Sequence, residues 1–493
     1  MRYGIFCFYF CIVCAIYASG QPQIRLNLDR SIEIAVDSSL QAFRVKNMYL
    51  ANYWQYRSFK AARLPSVSLS MTPLQYYRDF TKRYDSERNI DVYRSQQSLY
   101  SAGGLSLSQN VDATGGTFYV DSKLDYMRNF GDNTYSQYSS VPVRIGYSQS
   151  LFGFNRFKWE KKIEPLKFEK AKKQLIYEQE NITGNVIGYF FNLAMAQREY
   201  DVAKSNVASS DTLYKIGAER YRIAAISQAD LLTLRLDVVN AKNSLENAEM
   251  SLKRAMFDFV SYLNIDKTTQ VQLDLPDKPQ DIKISVDFAL EQAKLNNPDY
   301  LGFRQELLEA QQEVERTSKS SIFDASLNAS IGFNQAATSL SNVYRQPQQQ
   351  DVVSVSLSIP ILDWGVRRGR VNMAKNNLNV ANISVQQKEL SLAQEVEMTV
   401  NDFNIQANLI ASAEEALKLA TLVYDATKQQ FMIGKADINS LTLSQNRHLS
   451  AQRNYISALN NYWISYYKIR KLTLYDFLKQ ESLSMQFDLL FNL

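Results

Sequence analysis

One histidine, His448, and three cysteines, Cys7, Cys11 and Cys14, are the only strong metal ligands and soft nucleophiles in this chain of 493 residues. A single imidazole cannot complete a multi-histidine metal site. Any Ser-His-Asp triad would have to use it, yet it lies in a charged helical stretch with no nucleophile-elbow motif nearby. It reads as a solvated or packed helix residue. Neither a Walker loop nor a GxGxxG turn is present, and the glycine pairs at 103–104 and 115–116 do not open helices. The adjacent Glu414 and Glu415 read as solvation of a helix face. No cofactor, no metal and no enzyme activity are expected. The carboxylates of interest are Asp230 and Asp437, each at or beside a turn between two helices. A short acid there can cap free backbone N–H groups at a helix start. Alternatively, such charges can meet across a symmetry axis and close the end of a pore.

The remaining polar inventory narrows the class. All three cysteines fall within residues 1–20, which read as a secretory signal. Arg2 starts it, Ile5 to Tyr17 form its apolar core, and Ala18-Ser19-Gly20 offers a small-residue cleavage site before Gln21. An apolar core this short is a poor membrane span, and Val13 stands before Cys14 where a lipoprotein needs a small residue. A chain beginning at Gln21 has no cysteine, which excludes disulfides and thiolate sites. The formal charge of +5 becomes +4 without Arg2, with acids and bases interspersed. That is a solvated surface, not a nucleic-acid footprint. After residue 20 no apolar run approaches the ~20 residues of a membrane helix.

The turns holding Asp230 and Asp437 belong to a repeat. A block at 151–175 returns at 361–385, and one at 221–248 returns at 431–458, both at an offset of 210. Phe154 then coincides with Trp364, Tyr221 with Phe431, Ile223 with Ile433, Leu231 with Leu441, Ala241 with Ala451, and Ala248 with Ala458. A gap-free register of this length indicates duplication of a whole module rather than a solenoid. The first repeat covers 21–263, a linker 264–285, the second repeat 286–475, and a tail 476–493.

Each repeat opens with a helix, over 28–62 and 286–318, followed by alternating runs. Val67, Leu69 and Met71 alternate with Ser66, Ser68, Ser70 and Thr72. Over 322–334 the odd positions Phe323 to Phe333 are apolar and most even ones small and polar. Val353 to Ile361 alternate with serines, and Val141 to Tyr147 alternate with Arg144, Gly146 and Ser148. Period two marks a strand. A transmembrane strand with lipid on one face and water on the other fits, as does a half-buried sheet in a soluble protein. The flanking helices leave no spare apolar layer to cover such a sheet, which favours lipid. The strands occupy 65–151 and 322–361. Residues 75–140 are longer than their counterpart and predict an additional hairpin, either in a barrel wall or on its outer rim.

Long helix pairs predicted at 156–263 and 366–472 complete the modules. The first member of each is ~90 Å long at ~1.5 Å per residue. Val371, Ala374, Leu378, Ala381 and Val385 are spaced by threes and fours, as are Val396, Val400, Phe403, Ala407 and Ile410. That is coiled-coil spacing.

The ordered set of duplicated strand-to-helix junctions and helix-pair tips resembles the TolC-like outer-membrane efflux proteins over nearly the whole chain after residue 20, apart from the 75–140 excess. The resemblance implies an internally duplicated α+β membrane protein. It would be a trimeric transmembrane β-barrel of antiparallel strands shared between subunits, two strands per half, continued by a long periplasmic α-helical coiled-coil barrel. It implies a homotrimer in outer-membrane lipid, serving as exit duct of a tripartite efflux or secretion system with a periplasmic adaptor (membrane fusion) protein and an inner-membrane transporter. The competing class is a coiled-coil structural or adhesion protein of the envelope.

The resemblance also implies a gate. The second-half tip near Phe431 would pack against the first-half tip near Asp230, with Tyr221, Leu441 and the turn residue Gly434 around them. Phe431 stands where a gate tyrosine is familiar, so no tyrosine hydroxyl can reach Asp230. Ala436 takes the place of a basic residue, and Ser440 and Leu443 the places of an aspartate ring. Lys435 and Asp437 are the candidates to substitute. Hydrophobic closure by Phe431 and Leu441 is the alternative.

Overall fold

A computed structural model describes residues 23–130, 134–276, 282–433 and 435–483. The expected signal, all three cysteines and Gly434 lie outside the described residues. In chain order the first half contains β1 (Gln23–Leu26), α1 (Leu28–Ser38), α2 (Leu40–Ala61), β2 (Ser66–Asp85), β3 (Ile90–Val111), β4 (Gly116–Phe130), β5 (Tyr135–Ser150), α3 (Arg156–Arg222) and α4 (Gln228–Leu263). After β6 (Gln270–Leu273) come α5 (Val286–Asn296), α6 (Pro298–Ser320), β7 (Asp324–Ala337), β8 (Gln348–Ser358), α7 (Val366–Met432) and α8 (Ile438–Thr473). The last described elements are β9 (Tyr475–Asp476) and β10 (Glu481–Ser482).

The element ends carry the duplication. Helices α3 and α7 are both 67 residues and start 210 apart, from 156 to 366. Helices α4 and α8 are both 36 residues and start 210 apart, from 228 to 438. Ahead of the strands, α1 and α5 are both 11 residues but start 258 apart, from 28 to 286. The difference, 258 − 210 = 48 residues, is inserted between the start of β2 and the start of α3.

Two compact units divide the chain. One, residues 50–171 and 298–390, holds a six-stranded antiparallel sheet in the order β2-β3-β4-β5-β7-β8. The insertion is therefore in the sheet itself: β3 and β4 stand between β2 and β5. This corrects the expectation of two strands per half, since the first half supplies four. The strands also exceed the expected ~10 residues of a tilted span, reaching 20 in β2 and 22 in β3. On one face Val67, Leu69, Met71, Val353, Val355 and Leu357 are exposed. The other face is polar, with Ser66 and Ser108 hydroxyls 2.8 Å apart across the β2–β3 ladder and Arg144 paired with Asp121 at 2.7 Å. A sheet exposing aliphatic side chains on one face needs an apolar solvent there. The β2–β3 register shifts between Thr72 and Gln75, around Pro73, whose ring nitrogen has no hydrogen to give to a ladder.

The described residues of the other unit, drawn from 23–49, 172–297 and 391–483, are mainly helical. The helix expected over 28–62 is interrupted at Ser39, which is extended (φ −70°, ψ 153°) and accepts the Ala42 N–H at 3.1 Å, restarting the helix as α2. The counterpart break is at Asn297-Pro298, where the proline disfavours helical backbone in the residue before it. The linker contains β6, which pairs in parallel with β1 over four residues. Within helix α3, Val186, Ile187, Phe190 and Phe191 are fully enclosed. Helix α7 keeps one seam. Val396, Val400, Phe403 and Ile410 are buried there, as the three-four spacing requires. Across that seam the Phe403 ring lies 5.0 Å from Tyr462 and 5.9 Å from Tyr466 of α8. No described helix is long and apolar enough to cross a membrane.

Candidate functional site: the helix-pair tips

The turn from α3 to α4 is closed by backbone bonds. Ala224 adopts a left-handed φ of 53°, and the Ala225 N–H reaches back to the Arg220 carbonyl at 2.8 Å. Such a six-to-one bond satisfies a terminal carbonyl of the helix. At the equivalent place 210 residues on, the Lys435 N–H donates to the Gln430 carbonyl, also at 2.8 Å.

The next helices then start on caps of exchanged chemistry. Ser227 is the N-cap of α4. Its hydroxyl oxygen accepts the Asp230 N–H at 3.1 Å, while Asp230 accepts the Ser227 N–H at 3.0 Å. This reciprocal pair is a capping box. In the second half the cap is Asp437, at the position of Ser227, and it accepts from the N–H of Ser440, at the position of Asp230, at 2.6 Å. Both candidate carboxylates thus cap helices. Ser227 side-chain and backbone donors hold Asp230 below the usual carboxylate range, and the Ser440 N–H does the same for Asp437.

A carboxylate whose folded pKa is depressed stabilises the fold above its unfolded value, near 4, and loses that contribution as pH falls through the folded value. The tips should therefore be insensitive to pH from about 5 to 8 and loosen below about 4. Hydrogen exchange at 221–230 and 431–440, measured across that range, checks the window. Loosening already at pH 6 would contradict it.

The apolar groups at the tips are unequal. Phe431 and Leu441 are buried at 7% and 4% exposure, while Tyr221, in Phe431's position of the first repeat, is 42% exposed. The Arg220 guanidinium lies 5.9 Å above the Phe431 ring, a cation–π arrangement joining the end of α3 to the end of α7. Lys435 is exposed on the turn. The hairpin α3–α4 closes tightly: a Cβ on Gly217 would stand 2.3 Å from Leu234 Cδ1. The structure thus joins Phe431 to the first-half tip through Arg220 and leaves Asp230 on its own cap.

Further along, α8 is fastened to α3. Gln445 donates to Asn206 at 2.7 Å and Arg453 pairs with Glu199 at 2.9 Å. A buried ion cluster ends the row: Arg470 is 2.9 Å from Glu180 and 3.1 Å from Asp476, and the Tyr466 hydroxyl donates to Asp476 at 2.6 Å. Sequence reading missed this cluster, although the repeat held a signal. At the 210 offset Glu180 falls on Leu390 and Arg470 on Val260, so each is a charge where the other module has an aliphatic residue. His448 is packed, its ring edge-on to Tyr424 at 5.4 Å.

Residues 51–264 and 289–473 match the family of outer membrane efflux proteins. The outer membrane protein TolC of Escherichia coli K12 is 20% identical over 359 residues, 70% of this chain and 71% of that one. Among solved structures, the CmeC outer membrane channel of Campylobacter jejuni superposes with a TM-score of 0.65 at 15% identity, covering 90% of this chain and 85% of that one. The MtrE channel of Neisseria gonorrhoeae, in its open state, gives a TM-score of 0.61 at 14% identity over 90% and 88%.

Proposed function

The chain belongs to the outer membrane efflux protein family, channels of the outer membrane that extend into the periplasm, and from that premise we propose that three copies form one exit duct whose periplasmic end is closed by the helix-pair tips. The family is one of channels, not of enzymes. One observation carries the proposal: the long helices form a row whose two outer members each leave several large apolar side chains bare. Contacts run from α4 to α3 (Phe259 to Phe190), α3 to α8 (Arg453 to Glu199) and α8 to α7 (Tyr462 to Phe403). On α4, Leu232, Leu236, Met250 and Phe257 remain exposed, and on α7, Met398, Ile405 and Leu409. A row with apolar outer edges closes by symmetry into a ring. The duct passes cargo selected by an inner-membrane transporter and delivered through a periplasmic adaptor.

Particle mass in detergent is the direct test. Three copies per particle are expected, and a stable monomer would overturn the ring. In planar bilayers the channel should be closed or of low conductance. Asp230→Ala removes one side of the α4 capping box and should raise that conductance. An unchanged closed state would confine Asp230 to capping and remove it from the gate.

A further inference from the structure

The six-stranded sheet ends in two open edges, those of β2 and β8. Unpaired edges in a membrane must be matched. We propose that eighteen strands close the barrel, and that the junction between copies repeats, residue for residue, the β5–β7 ladder inside the chain. The proposal rests on the three-copy reading above.

The register follows from the two offsets. Strand β8 stands to the second module as β5 stands to the first, at 210 residues; β2 stands to the first as β7 stands to the second, at 258. Within the chain β5 and β7 are neighbours, with Ser148 opposite Asn328, Tyr147 opposite Ala329 and Gly146 opposite Ser330. Carried across by the offsets, Ser358 faces Ser70 of a second copy, Leu357 faces Met71 and Ser356 faces Thr72. Ile359 then faces Leu69. Large apolar residues meet large apolar ones, and hydroxyls meet hydroxyls. A slip of one residue would set Leu357 against Ser70 or Thr72 and turn every side chain of one strand to the wrong medium.

The backbone supplies a second match. Just beyond β5 the Leu151 N–H donates to the Ala325 carbonyl at 2.8 Å. Its counterpart is Ile361 donating to the Val67 carbonyl of the second copy. In a single chain Ile361 is 95% exposed, so this junction would cover the barest aliphatic residue of the strand-to-helix turn.

The strand count follows from the helices. The helical modules are duplicated without a gap, so nothing in them alters the number of copies that close the ring. The 48 inserted residues add strands only. Three copies of a six-stranded sheet give eighteen strands, an even number within the range of outer-membrane barrels. At equal tilt, circumference grows with strand number, so this barrel is half as wide again as the twelve-stranded one that two strands per half would make.

Cysteine cross-linking tests the junction, because no cysteine follows residue 14. Residues 148 and 328 flank the bonded level of Leu151 and Ala325 by three steps, which makes theirs a non-hydrogen-bonded pair with close Cβ atoms, suited to a disulfide. The double variant Ser70→Cys with Ser358→Cys, oxidised in outer membranes, should run on denaturing gels as covalent oligomers of up to three copies. Ser70→Cys with Leu357→Cys points its thiols to opposite faces and should stay uncross-linked. Cross-linking through Ser356→Cys instead, in a particle still of three copies, would overturn the register and leave the trimer standing. A particle of two copies cross-linked at Ser70 and Ser358 would keep the register and overturn both the trimer and the count of eighteen. Apart from Leu357→Cys, each exchange replaces one hydroxyl by a thiol, and the single variants report assembly.

Discussion

Arg470→Met should lower the stability of the helical unit by about 3–5 kcal/mol, the range for leaving a buried charge without its partner. Arg470 sits between two carboxylates whose side chains are 9% and 4% exposed, Glu180 and Asp476. Burial pushes Glu180 above the ordinary carboxyl range, against the pull of Arg470. Burial also pushes on Asp476, but the Tyr466 hydroxyl and Arg470 together hold it below that range. Methionine fills similar space and returns none of the charge. Glu180 then ionises with still more difficulty. An acid with a raised folded pKa stabilises fully below its unfolded value, and that contribution is lost as pH rises through the folded value. The variant should therefore be nearer to wild type at pH 5 than at pH 8. Adding Glu180→Met removes one stranded carboxylate and should recover part of the loss. Thermal unfolding of the detergent-solubilised protein, followed by near-UV circular dichroism, compares wild type with both variants. A single-variant loss below about 1 kcal/mol, the level of an exposed pair, would show the cluster to be open to water.

The same cluster shows where sequence reading stops. Helix ends and the seam of α7 were legible because they repeat a local spacing: Val396, Val400, Phe403 and Ile410 are apolar at threes and fours, and they are buried. The offset of 210 marks both turns of the tips, because both modules must cover the same length. Glu180 and Arg470 are 290 positions apart and follow no local rule, so only three-dimensional packing joins them. The extra strands were half legible. Leu105, Leu107, Phe118 and Val120 alternate with polar neighbours and showed a hairpin. Its membership of the sheet depends on β4 pairing with β5, a contact with no signature in either strand. Strands β1 and β6, at four residues each, are too short for periodicity to reveal. Asp230 and Asp437 were open between cap and gate. Local geometry gives the cap, since each carboxylate accepts a backbone N–H three residues away.

That assignment shifts the larger gating effect to Phe431. Its ring is buried at the tip beneath the Arg220 guanidinium, whereas Ile433, two residues on, is 68% exposed. Any opening that parts the end of α7 from the end of α3 must bring that ring into water. Deleting a buried phenyl group costs about 3 kcal/mol or more where it packs, and an open tip that does not bury the ring is spared the loss. A difference of about 3 kcal/mol between two states moves their ratio on the order of a hundredfold. Phe431→Ala should thus turn a channel that is closed most of the time into one that conducts steadily in planar bilayers. It should do so without change in copy number or in the yield of outer-membrane protein. Ile433→Ala removes a comparable apolar group from the same turn but none from the packed tip, and its conductance should match wild type. Arg220→Ala removes the cation while leaving the ring, so a smaller rise is expected, in line with about 0.5–2 kcal/mol for such a contact. If Phe431→Ala conducts no better than Ile433→Ala, the ring packs the tip but does not hold it shut, and closure must come from groups elsewhere along α7 and α8.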